Sequence, residues 1–371
     1  MASAKTDQTE ALFSLESYHV SEELGFILPD PLQELPPYYQ PWMDIALKIP
    51  ELAQSHELRS RINKMPLLSS KFLQKHKELR LAHLALTMMT MGYVWEEGEK
   101  DTVEILPRSL AVPYWEVSQR LGLPPIITHA DAVLANWKRK DPDGPFNMEN
   151  LELLVSLPGG ESARGFFLVT LLVELAGVPA VKVKMIYLSG WKDNPCMPNG
   201  LVYEGVQAAP MRYSGGSAAQ SSLLHCFDEL LGVKHDPKSA SFLIYMRDYM
   251  PPLHKKLIND ISLQPSLRSF VQQQDCKDLN NVFDLCVKKL LALRSYHINV
   301  VSRFITVPAA RARQLRDQNH NSDGEMISRA PTALEERGTG GSSIMSFLKT
   351  VRDQTKDTLL SEASKEIKHH S

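Results

Sequence analysis

Cysteine is scarce in this sequence, and the few residues present do not pair by spacing. Cys196, Cys226, Cys276 and Cys286 form no CxxC motif, which argues against a zinc site or a disulfide framework and suits a reducing cytosol. No charge of one sign dominates. The 41 Lys and Arg against 43 Asp and Glu leave a net charge of −2, so there is no electrostatic footprint for nucleic acid or an anionic membrane. Long apolar runs are missing too. The most membrane-like stretch, residues 165–181, is interrupted by Glu174 and Pro179. It falls short of a comfortable bilayer span and reads as a buried core helix. The residues from Met1 to Val20 lack the basic-then-apolar layout of a signal peptide. Nucleotide-binding GxxxxGK[ST], metalloprotease HExxH and hydrolase GxSxG are all absent.

What is present is helical periodicity. At 371 residues and 43% hydrophobic, the chain is long enough for one large domain or two unequal ones. Residues 26–41 are too proline-rich for regular structure, and Pro41 can start a helix with Trp42, Ile45, Ala46 and Ile49 on one face. Residues 69–96 predict a helix whose second half is buried all round, with Met88, Met89 and Met91 as core filling. Pro107 opens another helix, closed by Gly122, and a division between residues 1–121 and 122–371 is placed there. Residues 129–141 read as a short helix, residues 151–157 as a short strand or helix, and residues 156–165 as a turn launching a helix at Gly165. Residues 214–222 read as a flexible loop. A long helix is expected over residues 279–307, a mobile segment over about 309–341, and a closing helix over about 342–368. The class is mostly α.

Within the long helix, Leu290, Leu293, His297, Val300, Val301 and Phe304 share one apolar stripe, with Arg294 one turn before His297. A neutral imidazole on a dry helix face suits a buried metal or haem iron, and a nearby Arg could neutralise a haem propionate. A lone histidine on an apolar face is, however, more often a core residue bonded to a carbonyl. His83, His129 and His225 also have apolar settings, whereas His56, His76 and His254 neighbour charges and read as solvated. No histidine pair shows metal-ligand spacing. The Gly-rich run at residues 337–341 could offer backbone N–H groups to an anion, though nothing else in a phosphate-site pattern follows.

Several long motifs carry the reading further. LRSYH ending at His297, YSGGSAAQSS at residues 213–222, RGTGGSSIMSFLKTVR at 337–352 and LPRSLAVPYWEVS at 106–118 resemble the indoleamine 2,3-dioxygenases. SGWKDNP at 189–195, GLVYEGV at 200–206 and HADAVLANWKRKDPDGP at 129–145 fit the same family, in collinear order. MRDYMPP and SFLKTVRDQT look most similar to the second of its two vertebrate paralogues. The resemblance implies an all-α fold in two domains, with haem b held mainly by the larger. It makes His297 the proximal iron ligand, places Arg294 near a propionate, and sets Gly215, Gly216, Ser217 and Ala218 along the haem edge. Phe166 would pack on the indole, and Thr170 would stand near bound O₂ where the family has Ser. Ser217 is carried over as a catalytic position too. His129 takes the place of a family Tyr on the pocket wall, and Gly338, Thr339, Gly340 and Gly341 would close over substrate. The implied reaction inserts both atoms of O₂ across the indole C2–C3 bond of L-tryptophan, giving N-formylkynurenine. It needs an electron donor to keep the iron ferrous, and the chain is taken as a monomer.

One departure stands against these matches. Between AGVPAVKV, ending at Val183, and IYLSGW, starting at Ile186, family members carry several tens of further residues, mostly helical. That stretch holds a Phe that contacts the indole and an Arg that pairs with the substrate carboxylate. Here Met185 takes the Arg position. Impaired turnover, a pocket opened to water and a less completely packed core are the expected consequences. The alternative function is a haem-binding or signalling protein that uses the tyrosine motifs at Tyr114 and Tyr203, which fit a loose SH2-recognition pattern.

Overall fold

Proline placement and apolar spacing set the first helices. The computed structural model describes residues 14–98, 101–176, 188–274, 276–302 and 344–361. Helix α1, Gln40–Ala46, starts on Pro41 and buries Trp42 and Ala46 completely. A second helix, α2 (Ile49–Gln54), follows with Pro50 in its first turn. Pro50 has no N–H to carry the first helix onward, so the chain breaks and restarts there.

Helix α3 is Leu58–Asn63 and helix α4 is His76–Trp95. The latter starts a turn or more later than its sequence pattern suggests. The Glu78 carboxylate accepts the N–H groups of Gln74 at 2.7 Å and Lys75 at 3.0 Å, which fixes the helix start at His76. Every residue from Leu79 to Trp95 is buried, and the three methionines fill core as expected. Strand β1, Ile105–Leu106, precedes α5, Arg108–Leu121, which closes on Gly122 in the left-handed conformation at φ 66°.

Residues 129–141 do not form an ordinary helix but one wide π-type turn, Ala130–Ala135. Strand β2 (Lys138–Arg139) then pairs antiparallel with β3 (Leu151–Glu152), and β1 pairs in parallel with β4 (Val202–Tyr203). Helix α6, Glu161–Ala176, begins directly after Gly160 at φ 55° rather than at Gly165. The remaining described helices are α7 (Ser222–Leu231), α8 (Pro237–Met246), α9 (Pro252–Ser262), α10 (Leu267–Gln273), α11 (Lys277–Val301) and α12 (Ile344–Lys356). The architecture is all-α, and among the described residues the strands are only the two short pairs.

Two apolar clusters hold the fold. The larger runs from Tyr18 to Leu257 and takes residues from both sides of Leu121. The smaller joins Leu231, Val271, Phe283, Val287, Leu290 and Leu359. Helix α7 serves both: Leu223 and Cys226 pack on the first, Leu224 and Leu231 on the second. Among the described residues no helix is long and apolar enough to cross a membrane.

Candidate functional site

Helix α6 presents Phe166, Thr170 and Glu174 at successive turns, so the three share one face. Phe166 and Thr170 are half-buried. The Thr170 hydroxyl donates to the Phe166 carbonyl at 2.7 Å, which leaves its lone pairs as its free polar feature. One turn on, Glu174 accepts from His129 Nε2 at 2.9 Å and from the Ser221 hydroxyl at 2.5 Å. The His129 and Glu174 side chains are each only 5% exposed. Gln220 completes the junction, accepting the His129 N–H at 3.0 Å and donating to the Gly215 carbonyl at 2.9 Å. These bonds draw α6, the wide turn after His129 and the 214–221 segment together.

That segment is not the flexible loop its composition suggests. Ser214, Gln220, Ser221 and Ser222 are all buried, and Ser221 caps α7 by accepting the Leu224 N–H. Gly215 is required for a reason the sequence did not show. A Cβ there would collide with the Leu188 carbonyl and the Gly190 N–H, and one on Gly190 would collide with Gly215. The two backbones touch, so neither position tolerates a side chain. At Gly216 a Cβ would meet Ile127 and Leu188 at an ordinary 3.8 Å. The Ser217 hydroxyl accepts from the Ala219 N–H at 3.2 Å, which starts the short turn at Ala218.

On α11, Arg294 lies buried with its Nη2 donating to both oxygens of Asp228, at 2.7 and 2.6 Å, and its Nη1 donating to Thr355. Asp228 also accepts from His235 at 3.2 Å. Burial alone would raise the Asp228 carboxyl, but the His235 bond and the Arg294 charge outweigh it and hold it below the usual carboxylate range. Sequence reading did not single out Asp228, and the only signal was an acid on the buried face of α7. Beside it, His225 donates from Nε2 to the Ala219 carbonyl at 2.8 Å and accepts from Arg247 at Nδ1.

His297, one turn from Arg294, makes no side-chain hydrogen bond to any described residue. Burial and the Arg294 charge push its imidazole down to about 4, yet the residue is still partly accessible. Among the described residues no group of three His, Cys, Asp or Glu could hold a bare metal ion. A single neutral imidazole with no partner among the described residues is instead the donor set of an axial haem ligand, so the residues present fit that group. Arg294 fits it less simply, since Asp228 already balances its charge. Residues 338–341 and 184–185 lie outside the described residues.

Other polar constellations do not make sites. Ser118, His83 and Asp131 line up at 3.0 and 2.7 Å in the order of a hydrolase triad, but all three are fully buried and no substrate reaches them. His254 reads as solvated in sequence, yet it is buried between Phe26 and Ser222, because it shares a face with Leu257 and Ile258. Tyr114 and Tyr203 are completely inaccessible. Tyr114 pairs with Thr87 at 2.7 Å and Tyr203 donates to the Pro125 carbonyl at 2.6 Å. Neither can meet a kinase or an SH2 domain in the folded chain. A surface cleft of about 650 Å³ near Arg59 and Glu96 is charged, and those two groups are already engaged: Glu96 accepts the N–H groups that start α3, and Arg59 pairs with Asp101.

Comparison with known proteins accounts for this arrangement. The family model described as indoleamine 2,3-dioxygenase matches residues 14–186 and 183–358. The chain is 47% identical to human indoleamine 2,3-dioxygenase 2 over 95% of its length and 97% of that protein. It is 42% identical to rat indoleamine 2,3-dioxygenase 1, covering 94% and 96%. A protein named myoglobin from Haliotis madaka is 35% identical over 92% and 97%. The human alignment runs over 402 positions, more than the 371 residues of the whole chain, so it spans positions with no residue here. The two family-model matches meet at residues 183–186, the junction expected from sequence. The chain belongs to the indoleamine 2,3-dioxygenase family of haem-dependent enzymes and lacks an internal segment that its relatives carry.

Proposed function

We propose that this chain binds haem b through His297 and acts on the indole ring of L-tryptophan with O₂, giving N-formylkynurenine, with substrate binding weakened by the missing segment. The observation that carries the reading is the desolvated, neutral imidazole of His297, which has no hydrogen-bond partner among the described residues. When bound, the haem supplies the iron at which O₂ is activated. The protein's part is binding, orientation and exclusion of water. Phe166 offers a half-buried ring for the indole face. Thr170, its proton already given to the Phe166 carbonyl, brings no strong acid to the oxygen side. Glu174, held by His129 and Ser221, fixes α6 against the 214–221 segment, so Ser217 and Ala218 keep one position. The division at Leu121 and the closing role of residues 338–341 belong to this reading, as do a cytosolic setting and an external electron donor.

Met185 in place of a cation leaves the substrate carboxylate without a charge-assisted bond, an interaction of about 1.5–3 kcal/mol. A second reading is favoured by one specific observation. A relative at 35% identity carries the name myoglobin, and under that reading the chain binds O₂ without turnover. Incubating the reduced, haem-loaded chain with L-tryptophan and O₂, beside a His297→Ala variant, separates the two. N-formylkynurenine formed by the parent and lost in the variant supports the enzyme. Reversible O₂ binding with no product supports the second reading.

A further inference from the structure

Arg80, one turn into α4, is only 4% exposed. Among the described residues its guanidinium makes one hydrogen bond, from Nη2 to the Ala130 carbonyl, and its Nε is enclosed with no acceptor. The acid that acts on it, Asp131, is not a hydrogen-bond partner. The Asp131 oxygens take His83 at 2.7 Å and Thr128 at 2.6 Å instead. A guanidinium carries five N–H donors, and burying them without acceptors costs free energy that a bound ion recovers. Three imidazoles from three elements gather round the same charge. His76 opens α4, His254 comes from α9, and His19 follows the short turn Leu15–Tyr18. The His19 and His76 rings lie 4.7 Å apart at the surface, while His254 is buried with its Nδ1 3.2 Å from the Ser222 hydroxyl. Desolvation first, and then the Arg80 charge, push His76 down to about 4 and His254 to about 3. The neighbouring lysines are engaged elsewhere, Lys77 with the Asp30 carbonyl and Lys256 with Asp260. Among the described residues no such cluster could hold a metal ion, and a buried guanidinium would repel one.

We propose that Arg80, His19, His76 and His254 form a binding site for a small oxyanion of the sulfate, phosphate or carboxylate class. None of these four residues is assigned to haem or substrate. The anion supplies acceptors for the guanidinium N–H groups that the fold leaves unmet. Each imidazole becomes a second donor to it by taking up a proton, since a nearby negative charge favours the charged form. Anion binding is therefore coupled to proton uptake, and it strengthens as pH falls by up to about tenfold per pH unit for each proton. The bound ion also ties the segment carrying His19 to α4 and α9. That segment is already fastened to α9 by the Tyr18 hydroxyl, which donates to Asp260 at 2.6 Å.

The test is calorimetric titration of the full-length chain in a buffer free of oxyanions, at constant ionic strength set with sodium chloride. Sulfate is the first probe, because its charge is the same at pH 5.5 and pH 7.5. It should bind saturably at pH 5.5 with proton uptake, and at least about tenfold more weakly at pH 7.5. Arg80→Lys should weaken it too, but that residue is buried and its variant is prone to misfold. His76→Gln and His19→Gln lie at the exposed rim, and circular dichroism confirms their fold. Each should weaken sulfate binding at pH 5.5 at least about fivefold and reduce the proton uptake. Inorganic phosphate and acetate then separate the sources: tighter phosphate marks a phosphate site, tighter acetate a carboxylate site. No saturable binding of any of the three anions at pH 5.5 would overturn the proposal. So would sulfate binding equally tight at pH 7.5, or unchanged in both rim variants.

Discussion

The guanidinium of Arg294 grips both oxygens of Asp228, at 2.7 and 2.6 Å, with both residues buried. This pair ties α11, which carries His297, to α7, which touches both apolar clusters. Removing one partner leaves the other as an uncompensated buried charge. Asp228→Ala should therefore cost about 3–5 kcal/mol of stability, and Asp228→Asn less, because an acceptor remains. Urea unfolding of the two variants checks this. A loss under about 1 kcal/mol for Asp228→Ala would mean that the pair holds nothing together.

Acid should destabilise the chain earlier than its carboxylates alone would. Burial pushes His225 down to about 4 and His254 to about 3. The unfolded chain takes up these protons near the ordinary histidine value of 6.5, while the folded chain stays neutral there. Stability from each is thus full above about pH 6.5 and is lost as pH falls toward the folded values. The slope is up to about 1.4 kcal/mol per pH unit for each histidine. Denaturant midpoints between pH 7.5 and 5 measure it, and His254→Leu should flatten the curve. A flat profile in the parent chain would contradict the burial of these rings.

Glu174 accepts two donors that have no other described acceptor at those atoms, His129 Nε2 and the Ser221 hydroxyl. Glu174→Ala should cost about 1–3 kcal/mol, whereas Glu174→Gln, which still accepts, should keep most of it. Thermal unfolding distinguishes them. Equal losses in the two variants would show that side-chain packing, not hydrogen bonding, is what Glu174 supplies.

Restoring a cation at the junction should restore substrate affinity. Met185→Arg is expected to lower the KM for L-tryptophan by about one to two orders of magnitude, with kcat little changed. Tryptamine, which has no carboxylate, should be unaffected. Steady-state kinetics on both substrates give the answer. An unchanged KM for tryptophan would mean that the missing Arg is not what limits binding.

The helical class, the buried Met cluster on α4 and the Gly122 stop were legible because each follows from local periodicity or capping. The start of α4 was not, since it depends on Glu78 reaching back to two N–H groups. Residues 214–222 read as flexible because Gly, Ser and Ala say nothing of their partners. Their burial is decided by Gly190, Gln220 and Glu174, all distant in sequence or hidden in side-chain geometry. Asp228 was invisible for the same reason: an acid on a helix face announces a charge, not the arginine sixty-six residues away that it balances. Tyr114 and Tyr203 fitted a recognition pattern, and only the fold reveals that both are sealed in the core.

Haem ligation by His297 underlies every functional step above, and a haem titration of the purified full-length chain beside His297→Ala tests it most directly. The parent chain should develop a sharp, saturable Soret band at one haem per chain, with the reduced form binding carbon monoxide. The variant, still folded by circular dichroism, should lose that band or shift it to the spectrum of loosely bound haem. The same Soret band and the same affinity in both proteins would contradict the assignment of His297.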